Sequence, residues 1–120
     1  MRENVIQQKS YAFASRIVKS YKYLVSEQRE FVLSKQLLRS GTSIGANVEE
    51  ALAASSTADF VHKMNIAAKE ARETSYWLRL LHDNDFIPTQ AFDSIHDHSL
   101  ERIRLLASIL LTTKNNRSNS

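Results

Sequence analysis

The chain has 120 residues, of which 42% are hydrophobic and 24% charged, and its formal net charge is +3. With two glycines, one proline and no cysteine, it has few turn residues for an all-β fold and no thiolates for disulfides, iron–sulfur clusters or cysteine-bound zinc. Its first eight residues lack the apolar core of a signal peptide, and no apolar run is long enough to cross a membrane. We therefore expect one soluble, cytoplasmic domain without membrane contact.

Charge is distributed unevenly along the chain. Residues 1–48 contain eight lysines or arginines and three acidic residues. Residues 49–111 contain six lysines or arginines and ten acidic residues. Lys114 and Arg117 add two positive charges near the C-terminus. A basic half and an acidic half can pair within one bundle, between subunits or with an external polyanion, and the sequence leaves these alternatives open.

The first half of the chain predicts two helices. Apolar residues fall on adjoining stripes over residues 5–25, which indicates helix one. Ser26 is the predicted N-cap of helix two, with Glu27 and Glu30 in a first turn where carboxylates suit the helix dipole. Helix two then continues to about Leu52.

Two glycines lie inside the predicted helix two. Gly41 and Gly45 would each cost about 1 kcal/mol relative to alanine in a helix interior. We interpret them as positions where another backbone approaches closely, and we predict a continuous helix; a break near Gly41 is the alternative. The apolar side of this helix comprises Leu33, Leu37, Ile44, Val48 and Leu52.

The second half predicts two further helices. Ser56 and Asp59 resemble a capping box at the start of helix three, and residues 84–89 form a strong break with Pro88 in the first turn of helix four. Residues 113–120 are polar and are expected to be disordered. Each helix carries one row of core-facing residues, which we call its seam. The seam of helix three is Phe60, Met64, Ala67, Ala71, Thr74, Leu78 and Leu81, and the seam of helix four is Phe92, Ile95, Ser99, Ile103, Leu106 and Leu110.

Short connections make neighbouring helices antiparallel. The predicted fold is therefore all-α, an antiparallel up-down-up-down four-helix bundle over residues 1–112, followed by the polar tail 113–120. No internal repeat or second domain is indicated.

Polar residues occupy a helical spacing that normally carries an apolar seam. On helix two they recur at steps of four and three, and a similar row runs beside the core seam of helix three. Such a stripe is either a solvated face or a device that fixes the register of a contact between subunits. Its members are Gln36, Arg39, Ser40, Ser43, Asn47, Glu50, Glu70, Glu73 and Trp77.

The sequence does not predict an enzyme. The nearest hint of metal ligands is two Asp-x-x-His pairs, Asp59/His62 and Asp93/His96, which would lie at opposite ends of the bundle, roughly 40 Å apart at 1.5 Å per residue. Glu70 and Glu73 offer two carboxylates but no accompanying nucleophile or closed pocket. A plainer interpretation pairs them with Arg39, Lys69 or Arg72 and places Trp77 in the core or at a subunit contact. We expect no catalytic residue, no metal and no cofactor, and no small-molecule substrate is evident.

A cationic face on helix one is the main binding candidate. Its four cations spread over about a third of the circumference, with tyrosines between them, and phosphate-binding cations beside stacking aromatics are what RNA binding requires. A solvated cationic face looks much the same. The cations are Lys9, Arg16, Lys19 and Lys22, and the tyrosines are Tyr11, Tyr21 and Tyr23.

Two separated segments resemble a known bacterial family. They read FVLSKQL (31–37) with RS-x-x-SI-x-x-N-x-x-E (39–50), and DF (59–60) with KEARETSYWLRL (69–80). Over about residues 10–110 the chain resembles the four-helix-bundle proteins first noted as reading frames within intervening sequences of large-subunit ribosomal RNA genes. Ala51 stands where this family often has glycine.

The resemblance implies an antiparallel four-helix bundle that assembles as a homopentameric ring. It also implies kinship with the accessory protein of diversity-generating retroelements, a basic pentamer that engages a reverse transcriptase and nucleic acid. For most members the biochemical role is undefined, so the resemblance supplies motif positions (Arg39, Ser43, Asn47, Glu50, Glu73 and Trp77) but no active site.

Three functions are consistent with these observations. The leading hypothesis is a non-enzymatic pentameric scaffold whose basic surface binds RNA or an RNA–protein complex, with subunits meeting head to tail through opposite charges. The second is a protein-binding assembly factor without nucleic-acid contact. The third is an enzyme that uses Glu70 and Glu73, or a metal at a subunit interface.

Overall fold

The computed structural model describes the backbone of residues 2–118 and the side chains of residues 5–116. Consecutive helices pack against each other, α4 returns to α1, and within the described part the diagonal pairs stay apart, giving an elongated body of 52 × 22 × 21 Å. The prediction of an all-α four-helix bundle is confirmed. Its helices are α1 (Arg2–Ser26), α2 (Leu33–Leu52), α3 (Thr57–Asp83) and α4 (Thr89–Ser118).

The connection between α1 and α2 differs from the prediction. Ser26 is the last residue of α1 and not the N-cap of α2, and the chain turns at Arg29, whose φ is 55°. The carboxylate of Glu30 accepts hydrogen bonds from the backbone N–H groups of Val32, Leu33 and Ser34 at 3.2, 3.0 and 2.6 Å. Glu30 therefore caps α2 from outside the helix, where it satisfies N–H groups that have no partner within the helix.

The Glu30 carboxylate is held in its charged form. Partial burial raises its pKa, but the backbone donors of Leu33, Ser34 and Val32 outweigh that effect, and the pKa lies below its ordinary value. The Ser34 hydroxyl completes the motif because it donates back to the carbonyl of Glu30 at 2.8 Å.

The helix is unbroken at Gly41, as predicted, and close approach is found at Gly41, where the neighbour is a side chain and not the expected backbone. A Cβ atom on Gly41 would lie 2.7 and 2.8 Å from the two γ-carbons of Ile17 on α1. A Cβ on Gly45 would lie 3.4 Å from the carbonyl oxygen of Ser10. Since α1 rests directly on this strip of α2, a side chain at Gly41 would push the two helices apart.

The ends of α3 follow local side-chain chemistry. The Ser56 hydroxyl accepts a hydrogen bond from the Asp59 N–H at 3.1 Å, so the predicted N-cap is confirmed. The helix ends in a Schellman motif centred on Asp85, whose φ is 68°, with the N–H of Phe86 bonded to the carbonyl of Leu81. Pro88 precedes α4 instead of lying in its first turn, because its carbonyl accepts the Phe92 N–H at 2.9 Å.

The C-terminal helix is longer than predicted. It continues to Ser118, so the expectation of a disordered tail from residue 113 is wrong for residues 113–118, and residues 119 and 120 lie outside the described part. The Thr113 hydroxyl bonds to the carbonyl of Ile109 at 2.8 Å, within the helix. Polar composition alone did not indicate that the helix would run on past the core.

The predicted seams form the core. On α3 every seam residue is buried except Phe60, which is partly buried against the core; on α4 Ile95, Ser99 and Leu106 are buried and the other three are partly buried. The large, fully buried apolar side chains come from all four helices: Phe13, Ile17, Leu24, Leu37, Ile44, Met64, Leu78, Leu81 and Leu106.

Candidate functional site

The outer face of α1 carries two unpaired cations and two exposed aromatic rings. Lys19 and Lys22 are exposed, and neither has a hydrogen bond or ion pair to another residue whose side chain the structure describes. Tyr11 is 71% exposed and Tyr23 36%. The hydroxyl of Tyr23 accepts a hydrogen bond from the Gln28 amide at 2.8 Å, which orients the ring.

The other two predicted cations face α4 and are engaged by it. Lys9 Nζ lies 3.5 Å from the carboxylate of Glu101. Arg16 lies 2.6 Å from His98 Nδ1 and donates to the Ser94 hydroxyl at 3.2 Å. Because a guanidinium only donates, His98 accepts at Nδ1 and carries its proton on Nε2. The predicted set of four cations is therefore divided: of these four, Lys19 and Lys22 have no hydrogen bond or ion pair to a described residue.

A groove of about 360 Å³ separates α1 from the start of α4. We call it the α1–α4 groove. Arg16, Lys19, Ser20 and Tyr23 line it from α1, and none of the described lining residues is acidic. The groove was not predicted, since helical periodicity shows which face of a helix is apolar but not how closely two neighbours pack. The remaining lining residues are apolar: Leu24, Ile87, Pro88, Ala91 and Ile95.

A second cavity, of about 310 Å³, lies at the opposite end of the bundle. Its described lining residues come from all four helices, including Ile6, Leu52, Phe60 and Ile109, and none of these described residues is charged.

Arg102 links α4 to α1 between these two cavities. It is only 5% exposed, and its Nε and Nη2 atoms donate to the backbone carbonyl of Lys9 at 3.2 and 2.9 Å. Its guanidinium carbon lies 5.5 Å from the centroid of the Phe13 ring, and it also pairs with Glu101. Burial lowers the pKa of Arg102 from its ordinary value, and Glu101 opposes that shift.

Arg102 was not singled out from the sequence. A signal was present, because it stands three residues after Ser99 and four before Leu106, which places a cation at seam spacing on α4. A buried arginine at such a position requires acceptors on the facing helix.

The polar stripe of α2 divides into three parts. Ser40 is fully buried, with its hydroxyl 3.0 Å from that of Thr74 on α3, so it belongs to the interior and not to an exposed stripe. Ser43 and Asn47 bond to the carbonyls one turn earlier, at 2.6 and 2.9 Å. The two ends of the stripe, Gln36 and Glu50, are exposed.

Arg39, Glu70, Glu73 and Trp77 form one cluster across α2 and α3. The Arg39 guanidinium donates to Glu70 at 2.8 Å and to Glu73, and the Trp77 indole N–H donates to Glu73 at 3.1 Å. The Trp77 hydrogen bond, with Arg39, holds the pKa of Glu73 below its ordinary value, and Glu73 and Glu70 raise that of Arg39. With two carboxylates and one guanidinium, the cluster carries a net charge of −1.

The proposed acid–base use of Glu70 and Glu73 is not favoured by this geometry. Both carboxylates accept hydrogen bonds from Arg39, and a lowered pKa makes Glu73 a weaker base. The plainer interpretation, in which Arg39 pairs with them, agrees with the structure. Trp77 is partly buried and packs against the core.

Three of the four histidines contribute to packing between elements. The Phe92 ring stacks between His82 and His96, with ring centroids 4.2 and 4.7 Å apart. His96 Nε2 lies 2.9 Å from the Ser75 hydroxyl. Burial lowers the pKa of His96, and the charge of Arg79 lowers it further against opposing effects from Asp97 and Asp93. Among the described residues, no group of three or more histidines and acids is placed to hold a metal ion.

The fold and surface define a small helical-bundle protein with a basic strip along its first helix. The family model for the 23S rRNA-intervening sequence protein matches residues 2–108, and the chain belongs to that family. No curated protein matches the chain. None of the described helices is long and apolar enough to span a membrane.

Solved structures resemble this chain, and one of them covers nearly its whole length. It is a crystal structure at 1.70 Å of a protein with unknown function from the S23 ribosomal protein family of Bacteroides thetaiotaomicron. The two sequences are 56% identical, the alignment covers 92% of this chain and 98% of that one, and the TM-score is 0.89. The comparison supports the four-helix fold over nearly the whole chain and assigns no biochemical role.

Proposed function

We propose that the protein is a non-enzymatic, homopentameric scaffold whose α1 surface binds RNA, alone or within an RNA–protein complex. The observation that carries this proposal is the pair Lys19 and Lys22, exposed and unpaired within the described structure, with Tyr23 beside them. Exposed lysines contact phosphates and an exposed ring stacks on a base. The family takes its name from intervening sequences of 23S rRNA, so RNA is the polyanion we consider first.

Assembly supplies the strength that one chain lacks. Two unpaired cations neutralise few phosphates, and a single copy would therefore bind weakly and in a salt-dependent way. A ring of five copies presents the same pair five times, and multivalency raises the overall affinity without any new contact. The proposal thus joins the oligomer and RNA binding in one mechanism.

We place the subunit contact at the exposed part of the polar stripe. Glu50 is exposed at one end of α2, and the Arg39 cluster, about three turns earlier along the same helix, has a net charge of −1. A basic surface on the next copy complements this charge, and a head-to-tail contact of that kind closes into a ring. For the outer face of α1 to remain available for RNA, that basic surface must exclude Lys19 and Lys22.

Native mass spectrometry tests both parts. Protein purified without nuclease should run as a pentamer carrying nucleic acid at low salt and as a bare pentamer at high salt. A monomer at every concentration would rule out the ring. Replacing Asn47 and Glu50 together by alanine should change the oligomer, whereas replacing Asp93 and Asp97 on α4 should not.

Charge reversal tests the RNA surface. The double variant Lys19→Glu/Lys22→Glu should lose salt-sensitive binding to a structured RNA hairpin. Lys35→Glu/Lys69→Glu makes the same change in net charge at exposed sites on α2 and α3 and should retain most of the binding. Equal losses in both variants would mean that only net charge matters.

An acidic protein partner is the alternative, and the small number of unpaired cations on the outer face of α1 favours it. A partner that stays bound after nuclease treatment and is released by Lys19→Glu/Lys22→Glu would support this function instead.

A further inference from the structure

The α1–α4 groove combines features that the RNA proposal does not use. Its lining includes the buried side chains of Leu24, Ile87 and Ile95, which provide an apolar floor. Ser20 and Ala91 line it from the two facing helices, and these small side chains leave space between α1 and α4. The volume of about 360 Å³ lies at the lower end of the range for small-ligand sites.

The mouth of the groove is cationic and aromatic. Lys19 is unpaired within the described part of the chain, and Arg16 is held at the rim by His98 and Ser94. Tyr23 also lines the groove, and its ring is oriented by the hydrogen bond from Gln28. An occupant that matches these groups has a flat apolar part for the floor and an anionic part for the rim.

We propose that the α1–α4 groove binds one unpaired nucleotide of the RNA. The base enters the groove and packs against Tyr23 and the apolar floor, while its phosphate contacts Lys19 and the exposed edge of Arg16. A base inside a duplex is stacked on its neighbours and cannot enter, so the groove selects single-stranded segments, loops or bulges. This inference rests on the proposed function, and it adds the structural class of RNA that is recognised.

The charge pattern favours a nucleotide over an uncharged apolar ligand. Among the residues whose side chains the structure describes, the cavity at the other end of the bundle is lined by apolar side chains and hydroxyls. The α1–α4 groove, in contrast, is lined by Lys19. It lies beside the outer face of α1, where Lys22 is exposed. Phosphates that follow the bound nucleotide along the strand would therefore meet this second lysine.

The test compares a single-stranded RNA with a fully paired RNA of the same length by fluorescence anisotropy at fixed salt. We expect the native pentamer to bind the single strand at least tenfold more tightly. Ala91→Trp fills the groove and should weaken single-strand binding by about ten- to a hundredfold, the range for loss of one stacked base. It should leave duplex binding unchanged.

Matched variants separate the groove from the surface. Ala107→Trp makes the same substitution at an exposed position of α4 outside the groove and should have no effect. Tyr23→Ala should reproduce the loss, and Tyr23→Phe, which keeps the ring, should not. Circular dichroism and thermal melting of each variant establish that the bundle is intact.

Each other outcome overturns the inference in a distinct way. Equal binding of both RNAs, unaffected by Ala91→Trp but abolished by Lys19→Glu/Lys22→Glu, overturns the groove while the proposed function survives. No binding of either RNA by the native protein overturns both. Binding of an acidic amphipathic peptide that Ala91→Trp blocks, without RNA binding, assigns the groove to a protein partner and also overturns the inference.

Discussion

The two neighbours of α1 contact it in opposite ways. On one side α2 presents Gly41, and the absence of a side chain allows Ile17 to lie directly against the helix backbone. On the other side α4 reaches across with long polar side chains, chiefly Arg102, which bonds to the carbonyl of Lys9. Of the four neighbouring helix pairs, α1 and α4 have the least extensive contact.

This difference in packing explains why the α1–α4 groove lies on the α4 side of α1. Close packing at small residues leaves no space for a ligand, whereas an interface made by long side chains leaves gaps beside each bridge. The α1–α4 groove lies on one side of Arg102, whereas the second cavity, at the other end of the bundle, is lined by residues of all four helices. The first helix is thus closely packed on its α2 side and bordered by a groove on its α4 side.

Loss of Arg102 should have the largest effect. We expect Arg102→Ala to lower the free energy of unfolding by about 2–4 kcal/mol, because it removes hydrogen bonds from a buried charged group and the packing of its stem over Phe13. Urea denaturation measures the change. Arg104→Ala, at an exposed position two residues along α4, should change stability by less than about 0.5 kcal/mol; equal effects would contradict the bridging role.

The glycines of α2 sharpen the comparison on the closely packed side. Gly41→Ala should lose about 1–2 kcal/mol, because overpacking against the buried, β-branched Ile17 exceeds the gain in helix propensity. Gly45→Ala has room beside the Ser10 carbonyl and should be neutral or more stable by up to about 1 kcal/mol. Thermal and urea unfolding distinguish the two.

A double variant identifies the cause of the Gly41 effect. If the clash with Ile17 is responsible, Gly41→Ala combined with Ile17→Ala should be less destabilised than the sum of the single changes. Strict additivity would mean that the new methyl group disturbs something other than Ile17.

Much of the fold was predictable because helical periodicity survives tertiary packing. The apolar seams, the unbroken α2, the cap at Ser56 and the break before Pro88 depend on local spacing or on side chains close in sequence. The family resemblance was confirmed over residues 2–108.

The features that were missed depend on which helices face each other. Lys9, Arg16, Lys19 and Lys22 share a broad face of α1, and only the position of α4 divides them into bridged and unpaired cations. The error at Ser26 has a local cause: serine followed by glutamates resembles a helix start, but the chain reverses three residues later and Glu30 caps from outside.

Removal of a buried hydroxyl should change stability by a smaller amount, with opposite signs at Ser40 on α2 and Ser99 on α4. Ser40 of α2 is partnered by Thr74, whereas Ser99 of α4 is buried and, among the described residues, its hydroxyl has no hydrogen-bond partner. Ser40→Ala should cost about 1 kcal/mol, and Ser99→Ala should raise stability by up to about 1 kcal/mol, since it removes an unsatisfied polar group. Urea titrations of both variants measure the sign, and a loss in Ser99→Ala would indicate a partner such as a buried water.

The smallest effect distinguishes the two faces of α4 by pH. Burial lowers the pKa of His96, on the α3 side, from its ordinary value of 6.5. As the pH falls through 6.5, the unfolded chain takes up a proton at this position before the folded chain does. The free energy of unfolding therefore decreases as the pH decreases, and the decrease is complete below the pKa of His96 in the folded chain. The slope corresponds to a fraction of one proton.

His96→Gln should remove this component from unfolding free energies measured between pH 7.5 and pH 5.5 (roughly the range in which histidine titrates), whereas His98→Gln, on the α1 side, should retain it. If His98→Gln removed it instead, the pH-sensitive contact would lie at the α1–α4 interface, through Arg16, and not at the Ser75 contact with α3.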